Sequence, residues 1–171
     1  MLEAMRLGGS HRRSIALETR ARSPILNEQA PEPDGRLLAV FRLLVSRHPQ
    51  WAVRKPASGL YNCSGHVWAS RRTAVYDQEA IDVILRDDGY TQIDDPAVGD
   101  LAIYASEAGD FLHVGEVVEL RRLTSGDEVL PGIPYILSKM SDSAGEILHH
   151  YRDVPDGFVV AFWTERDRGH E

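Results

Sequence analysis

The chain holds one cysteine, Cys63, in the run Leu60-Tyr61-Asn62-Cys63-Ser64-Gly65-His66-Val67-Trp68-Ala69. Asn62 is a favourable helix N-cap, and Val67, Trp68 and Ala69 can continue a buried helix. A helix beginning here sets Cys63 in its first turn. Unpaired amides and the helix dipole favour a thiolate at that position. This is the setting of a nucleophilic cysteine. The plain alternative is a small buried thiol, since an unpaired cysteine is among the most buried residue types.

A cysteine nucleophile needs a base, usually histidine, and a third polar group that orients it. Of the seven histidines, His11 and His170 lie near the termini and His48 closes a helix. His66, His113, His149 and His150 remain. His113 leads, because it opens Leu112-His113-Val114-Gly115-Glu116-Val117-Val118. Two-residue alternation puts His113, Gly115 and Val117 on one face. Gly115 is expected to let the Cys63 helix approach beside His113. The plain alternative is a hydrogen-bonded core histidine.

The elements that must position these groups fall into two textures. Residues 1–35 carry Arg12, Arg13, Arg20 and Arg22 and then Pro24, Pro31 and Pro33, the composition of a flexible or peripherally docked segment. Leu37, Leu38, Phe41, Leu44 and Val45 recur at helical spacing. The Cys63 helix is expected to reach about Ala74. Asp77 caps a further helix with Ala80, Ile81, Ile84 and Leu85 inside, stopped at Asp87-Asp88-Gly89. Beyond Pro96 the chain reads as strands at 101–105, 112–120, 135–140, 146–151 and 158–164. Turn signals separate them, Ser125-Gly126-Asp127 among these. Helices followed by an antiparallel meander predict an α+β domain over 36–165, with a short tail at 166–171.

Three motifs then carry a family resemblance. Asn62-Cys63-Ser64-Gly65-His66-Val67 is similar to the Asp-Cys-Ser-Gly-hydrophobic-Val nucleophile motif of the NlpC-type papain-like cysteine peptidases, to which the CHAP amidases are related. Pro96-Ala97-Val98-Gly99-Asp100-Leu101 resembles that family's Pro-x-x-Gly-Asp-Leu, and His113-Val114-Gly115 its His-Val-Gly. The order is the family's, and the likeness covers roughly residues 58–165. It implies a papain-like fold in which N-terminal helices pack on a small antiparallel sheet of about five strands. It also implies thiol-dependent cleavage or transfer at an amide bond. The chain departs from the pattern at Asn62, where Asp is usual, and at His66, where an apolar residue is usual.

On that basis His113 would hold Cys63 as a thiolate, the thiolate would form an acyl-enzyme, and water would release it. The residue that orients His113 is either Ser138, favoured by strand order, or His149. Tyr61 is expected to offer a hydroxyl to the oxyanion, as the tyrosine near the family's nucleophile suggests. Asn62, His66 and Lys139 complete the expected substrate-binding wall. The expected partner is a peptide or another amide-bearing substrate, with no cofactor and no metal. Cell-wall peptide is the family's usual substrate class, but the chain shows neither a signal peptide nor a wall-binding repeat. Two rivals stand beside the hydrolase. One is an acyltransferase or transglutaminase-like enzyme on the same Cys-His pair. The other is a non-catalytic papain-like binding or regulatory module. A Cys/His zinc site built on Cys63-x-x-His66 and His149-His150 is the weaker alternative, since tetrahedral sites with one cysteine are less common.

Bulk composition narrows the partners. A net charge of −7 and a pI near 5.5 argue against general binding to nucleic acid or anionic membranes. One cysteine cannot close an internal disulfide. No apolar run is long enough to span a bilayer. Met1–Arg13 lacks a signal-peptide core, so the expected location is the cytoplasm, or outside it by a signal-peptide-independent route.

Overall fold

A computed structural model gives the fold and describes residues 13–122, 124–125, 128–129 and 131–166. His11, Arg12, Gly126, Asp127, His170 and all of the expected tail but Arg166 lie outside the described residues.

The helices form where the apolar spacing predicts them. α1 spans Gly35–Arg47, and the carboxylate of Asp34 caps it by accepting from the amides of Arg36 and Leu37. α2 spans Cys63–Trp68. α3 spans Gln78–Asp87; Asp77 caps its start, and Gly89 at φ 75° turns the chain away. α2 is shorter than expected, ending at Trp68 instead of near Ala74. Ser70 and Arg71 take left-handed φ values of 49° and 64° and fold the chain back across the helix. Gly65 makes that return possible: a Cβ there would sit 1.8 Å from the Thr73 carbonyl oxygen.

The strands are β1 (Ala52–Lys55), β2 (Thr91–Ile93), β3 (Leu101–Ala105), β4 (Phe111–Arg121), β5 (Thr124–Ser125), β6 (Glu128–Val129), β7 (Ile133–Lys139), β8 (Glu146–His150) and β9 (Val159–Thr164). Seven of them form one open antiparallel sheet in the order β1-β8-β7-β4-β3-β9-β2, and β5 and β6 make a separate ribbon. The architecture is α+β, but the sheet has seven strands instead of about five. The two unexpected strands, β1 and β2, are its edges. They are four and three residues long, and neither shows an alternating burial pattern. One register irregularity adjoins His113. Tyr104 pairs with His113 and Ala105 with Phe111, so Leu112 is an extra, bulged residue.

Register fixes what each face of the sheet carries. Tyr104 pairs with His113, Ala102 with Gly115, Gly115 with Ser138, and Ile136 with His149. Directly paired residues share a face. Ala102, Tyr104, Val117 and Ile136 are fully buried on this first face, under Tyr151, Phe158 and Phe162. Leu101, Ile103 and Val114 form the core of the second face, and there α2 and α3 pack through Cys63, Val67, Trp68 and Leu85. Residues 13–34 run over the helical side. Ile25 joins Val75, Ile81 and Ile84, Thr19 donates to Asp87 at 2.9 Å, and Glu28 bridges to Ala74. Among the described residues no helix is long and apolar enough to cross a membrane.

Candidate functional site

Asn62 does more than cap α2. Its Oδ1 accepts from the amides of Gly65 (2.8 Å) and Val75 (3.2 Å), and its Nδ2 donates to the Val75 carbonyl at 2.7 Å. That last bond needs an N–H, which gives a physical reason for Asn in place of the Asp of the resembled motif. The Pro96–Leu101 turn is likewise a clamp. Buried Asp100 accepts from the Ala97 amide at 2.7 Å and binds Arg166, while the Val117 amide donates to its carbonyl at 2.8 Å.

Cys63 opens α2 as expected and is partly exposed. Its Sγ lies 3.9 Å from the Ser64 hydroxyl, a long and weak contact. Burial pushes the thiol up from its ordinary pKa, and the amides of Val114 and Ser64 only partly offset this. Among the described residues no imidazole is hydrogen-bonded to the sulfur.

His113 lies on the other face of the sheet. Cys63 packs with Val114, while the His113 ring, one residue earlier on β4, lies tilted against Tyr104 with ring centres 5.6 Å apart. Gly115 faces the same way as His113. The space its missing side chain leaves is taken by Ile136 and Ser138 of β7, at 2.4 and 2.7 Å from a would-be Cβ, and not by the Cys63 helix. The expectation that Gly115 brings that helix to His113 is therefore corrected. His113 is 4% exposed and its Nε2 has no hydrogen-bond partner. Burial first, then the neighbouring His149 and His66, lower its pKa to about 3, so the ring is neutral at pH 7.

Ser138 and His149 share the face of His113 but bind each other, at 2.8 Å. His149 Nδ1 lies 2.9 Å from the His150 carbonyl, an acceptor, so Nδ1 carries the proton and Nε2 accepts from the Ser138 hydroxyl. Neither residue orients His113 through a hydrogen bond. Burial lowers the His149 pKa to about 4.

The remaining expected site residues gather on the second face, around an acid the sequence reading missed. Glu146 is fully buried. It accepts from the Tyr61 hydroxyl (2.7 Å) and from Arg71 (2.5 Å), and His66 Nδ1 approaches it at 3.3 Å. Burial alone would raise the Glu146 carboxyl; the bonds from Arg71 and Tyr61 outweigh it and hold it below the ordinary range. Tyr61 thus spends its hydroxyl on Glu146, not on an oxyanion. Lys139 is also fully buried and donates to the carbonyls of Ser58, Ser141 and Asp142, each at 2.8 Å. Its Nζ lies 5.1 Å from the centre of the Tyr61 ring, and burial lowers its pKa to about 8. A lone acid at the head of the apolar strand Glu146-Ile147-Leu148 was the available signal for Glu146, since buried acids are rare unless paired. His66 and His149 lie on different faces. Among the described residues no group of three or more His, Cys, Asp or Glu is placed to hold a metal.

The site is therefore two polar networks separated by the sheet: Tyr61, His66, Arg71, Lys139 and Glu146 beside Cys63, and Ser138 with His149 beside His113. No protein-family model, curated protein or solved structure matches the chain.

Proposed function

We propose that this chain is a binding or regulatory module for a peptide or other amide-bearing partner, built on a papain-like arrangement in which Cys63 is not a His113-activated nucleophile. One observation carries this: β4 presents Val114 to Cys63 and turns His113 to Tyr104 on the far face. A thiol pushed up by burial and an imidazole held neutral do not make an ion pair. On the cysteine's face of the sheet, Tyr61, Glu146 and Arg71 are committed to one another, and His66 gives Nδ1 to the same carboxylate while its Nε2 is buried without a partner.

A second reading, a thiol-dependent amidase or acyltransferase, is favoured by two specific features. Cys63 is partly exposed at a capped helix start, with the amides of Val114 and Ser64 beside its sulfur. His113 Nε2 is also buried without a partner. In that reading the thiolate attacks the carbonyl carbon and the C–N bond breaks. The amine leaves with the proton His113 took from the thiol, and water or an acceptor amine releases the acyl group. His113 would first have to reach the second face.

Iodoacetamide labelling at about pH 6, well below the pKa of a free thiol, separates the two. A binding module predicts that Cys63 reacts no faster than glutathione and that His113→Ala changes nothing. Rapid labelling slowed at least tenfold by His113→Ala would sink the binding reading and install the enzyme. Amine release with and without an added acceptor amine would then distinguish hydrolysis from transfer.

A further inference from the structure

The sheet ends at β1, whose outer edge pairs with no strand among the described residues. Such an edge offers unpaired N–H and C=O groups to another extended chain. Beside it, α1 and β1 enclose a groove of about 410 Å³ lined by Leu38, Phe41, Arg42, Val45, Val53 and Pro56. α1 buries none of its residues, and Leu37, Val40 and Leu43 are 42%, 58% and 53% exposed. Val53 pairs with Ile147 and Lys55 with Glu146, and the register irregularity between them, at Arg54, turns the two to opposite faces of the edge. On the Lys55 side, Arg54, Lys55 and Arg71 border a second hollow of about 390 Å³. The two acids in that hollow are engaged, Glu146 by Arg71 and Glu119 by Arg121. Arg54 lies within electrostatic reach of Glu119. Neither Arg54 nor Lys55 has an ion-pair partner within bonding distance among the described residues.

We propose that the β1 edge docks an extended peptide segment of a partner protein, added as a further antiparallel or parallel strand, in which apolar and acidic residues alternate. Successive side chains of a strand point to opposite faces. One set would enter the apolar groove against Phe41, Val45 and Val53. The other would meet Arg54 and Lys55, with Arg42 at the groove's rim. Main-chain bonds to the edge supply affinity, and the two hollows supply specificity. Charge chooses this occupant. A second copy joined edge to edge would bring Arg54 and Lys55 against their own counterparts. The chain's first twelve residues hold Arg6 and Arg12 against one acid, Glu3, which is the wrong sign for this edge.

The test uses the full chain and immobilised decapeptides in three sets. The first alternates Leu, Val, Ile or Phe with Asp or Glu. The second has Lys or Arg at the acidic positions. The third keeps the acids but carries Pro at every other apolar position, which blocks a ladder. The first set should bind at least tenfold more tightly than either of the others. Arg54→Glu with Lys55→Glu, both at exposed positions, should reverse the preference between the first two sets. Absence of binding by the first set, equal binding of all three sets, or a preference the double variant leaves unchanged would overturn the proposal. So would a dimer, seen by sedimentation, that the same double variant dissolves or tightens in place of any peptide effect.

Discussion

At the scale of single residues, the chemistry-bearing side chains were legible but their partners were not. Cys63, His113, Ser138, Lys139 and His149 each attract notice in the sequence by residue type. Whether two of them meet depends on which face of a strand each occupies, and a one-residue difference decides that. Val114 meets Cys63 and His113 does not. Glu146 is the residue on which the second-face network closes. Glu146→Ala leaves the Tyr61 hydroxyl, the His66 imidazole and the Arg71 guanidinium without their shared acceptor, and should cost roughly 3–5 kcal/mol. Arg71→Ala should cost less, because the Arg71 side chain is 34% exposed and water can replace part of what it supplies. Urea midpoints of the two variants measure the difference; an equal loss would mean that Glu146 is not the hub.

At the scale of elements, helices and central strands followed from periodicity, and the caps of α2 and α3 from Asn62 and Asp77. The edges did not. β1 reads Ala-Val-Arg-Lys, with three exposed residues and no alternation, and it is a strand because β8 offers it a ladder. The early end of α2 was also hidden, since nothing in Ser70-Arg71 announces two left-handed residues that are not glycine. Asn62 holds this element and the returning chain together. Asn62→Ala removes the cap and leaves the buried Val75 amide and carbonyl without their side-chain partner, a loss of roughly 2–4 kcal/mol. Asn62→Asp keeps both acceptor roles but not the N–H, and should fall between Ala and the native residue. Thermal unfolding of the three proteins checks the order; an Asp variant as stable as Asn would remove the role given to Nδ2.

At the scale of the whole molecule, buried imidazoles tie stability to pH. His113 and His149 titrate near 3 and 4 in the fold, against 6.5 for an exposed histidine. Above about pH 6.5 neither state is protonated and the two groups contribute no pH dependence. As pH falls below that value the unfolded chain takes up protons that the native chain refuses, and the fold loses stability. By pH 5 the loss should be roughly 1–2 kcal/mol for each ring. The Glu146 carboxyl is held low and gives way only at more acidic pH, so the interval from pH 7 to 5 reads the histidines. Burial lowers His66 as well, with the same sign. Urea midpoints at pH 7.5 and 5 should differ in this direction, and His113→Gln should shrink the difference by about a third. A midpoint that does not move between those pH values would show that the rings are not buried neutral.

The bulge at Leu112 gives the separation of Cys63 and His113 a further meaning. A bulge is one residue of slack, and slack can migrate along a ladder. If the unpaired position moved from Leu112 to the far side of His113, the imidazole would swing to the face of Val114 while the rest of β4 kept its pairing. Deleting Leu112 removes the slack and pins His113 beside Tyr104. The deletion should leave Cys63 labelling unchanged if His113 never crosses. It should abolish any rapid labelling of the native chain if crossing is how that chain arms its thiol. Whether two networks behave as one site would then turn on the mobility of a single unpaired residue.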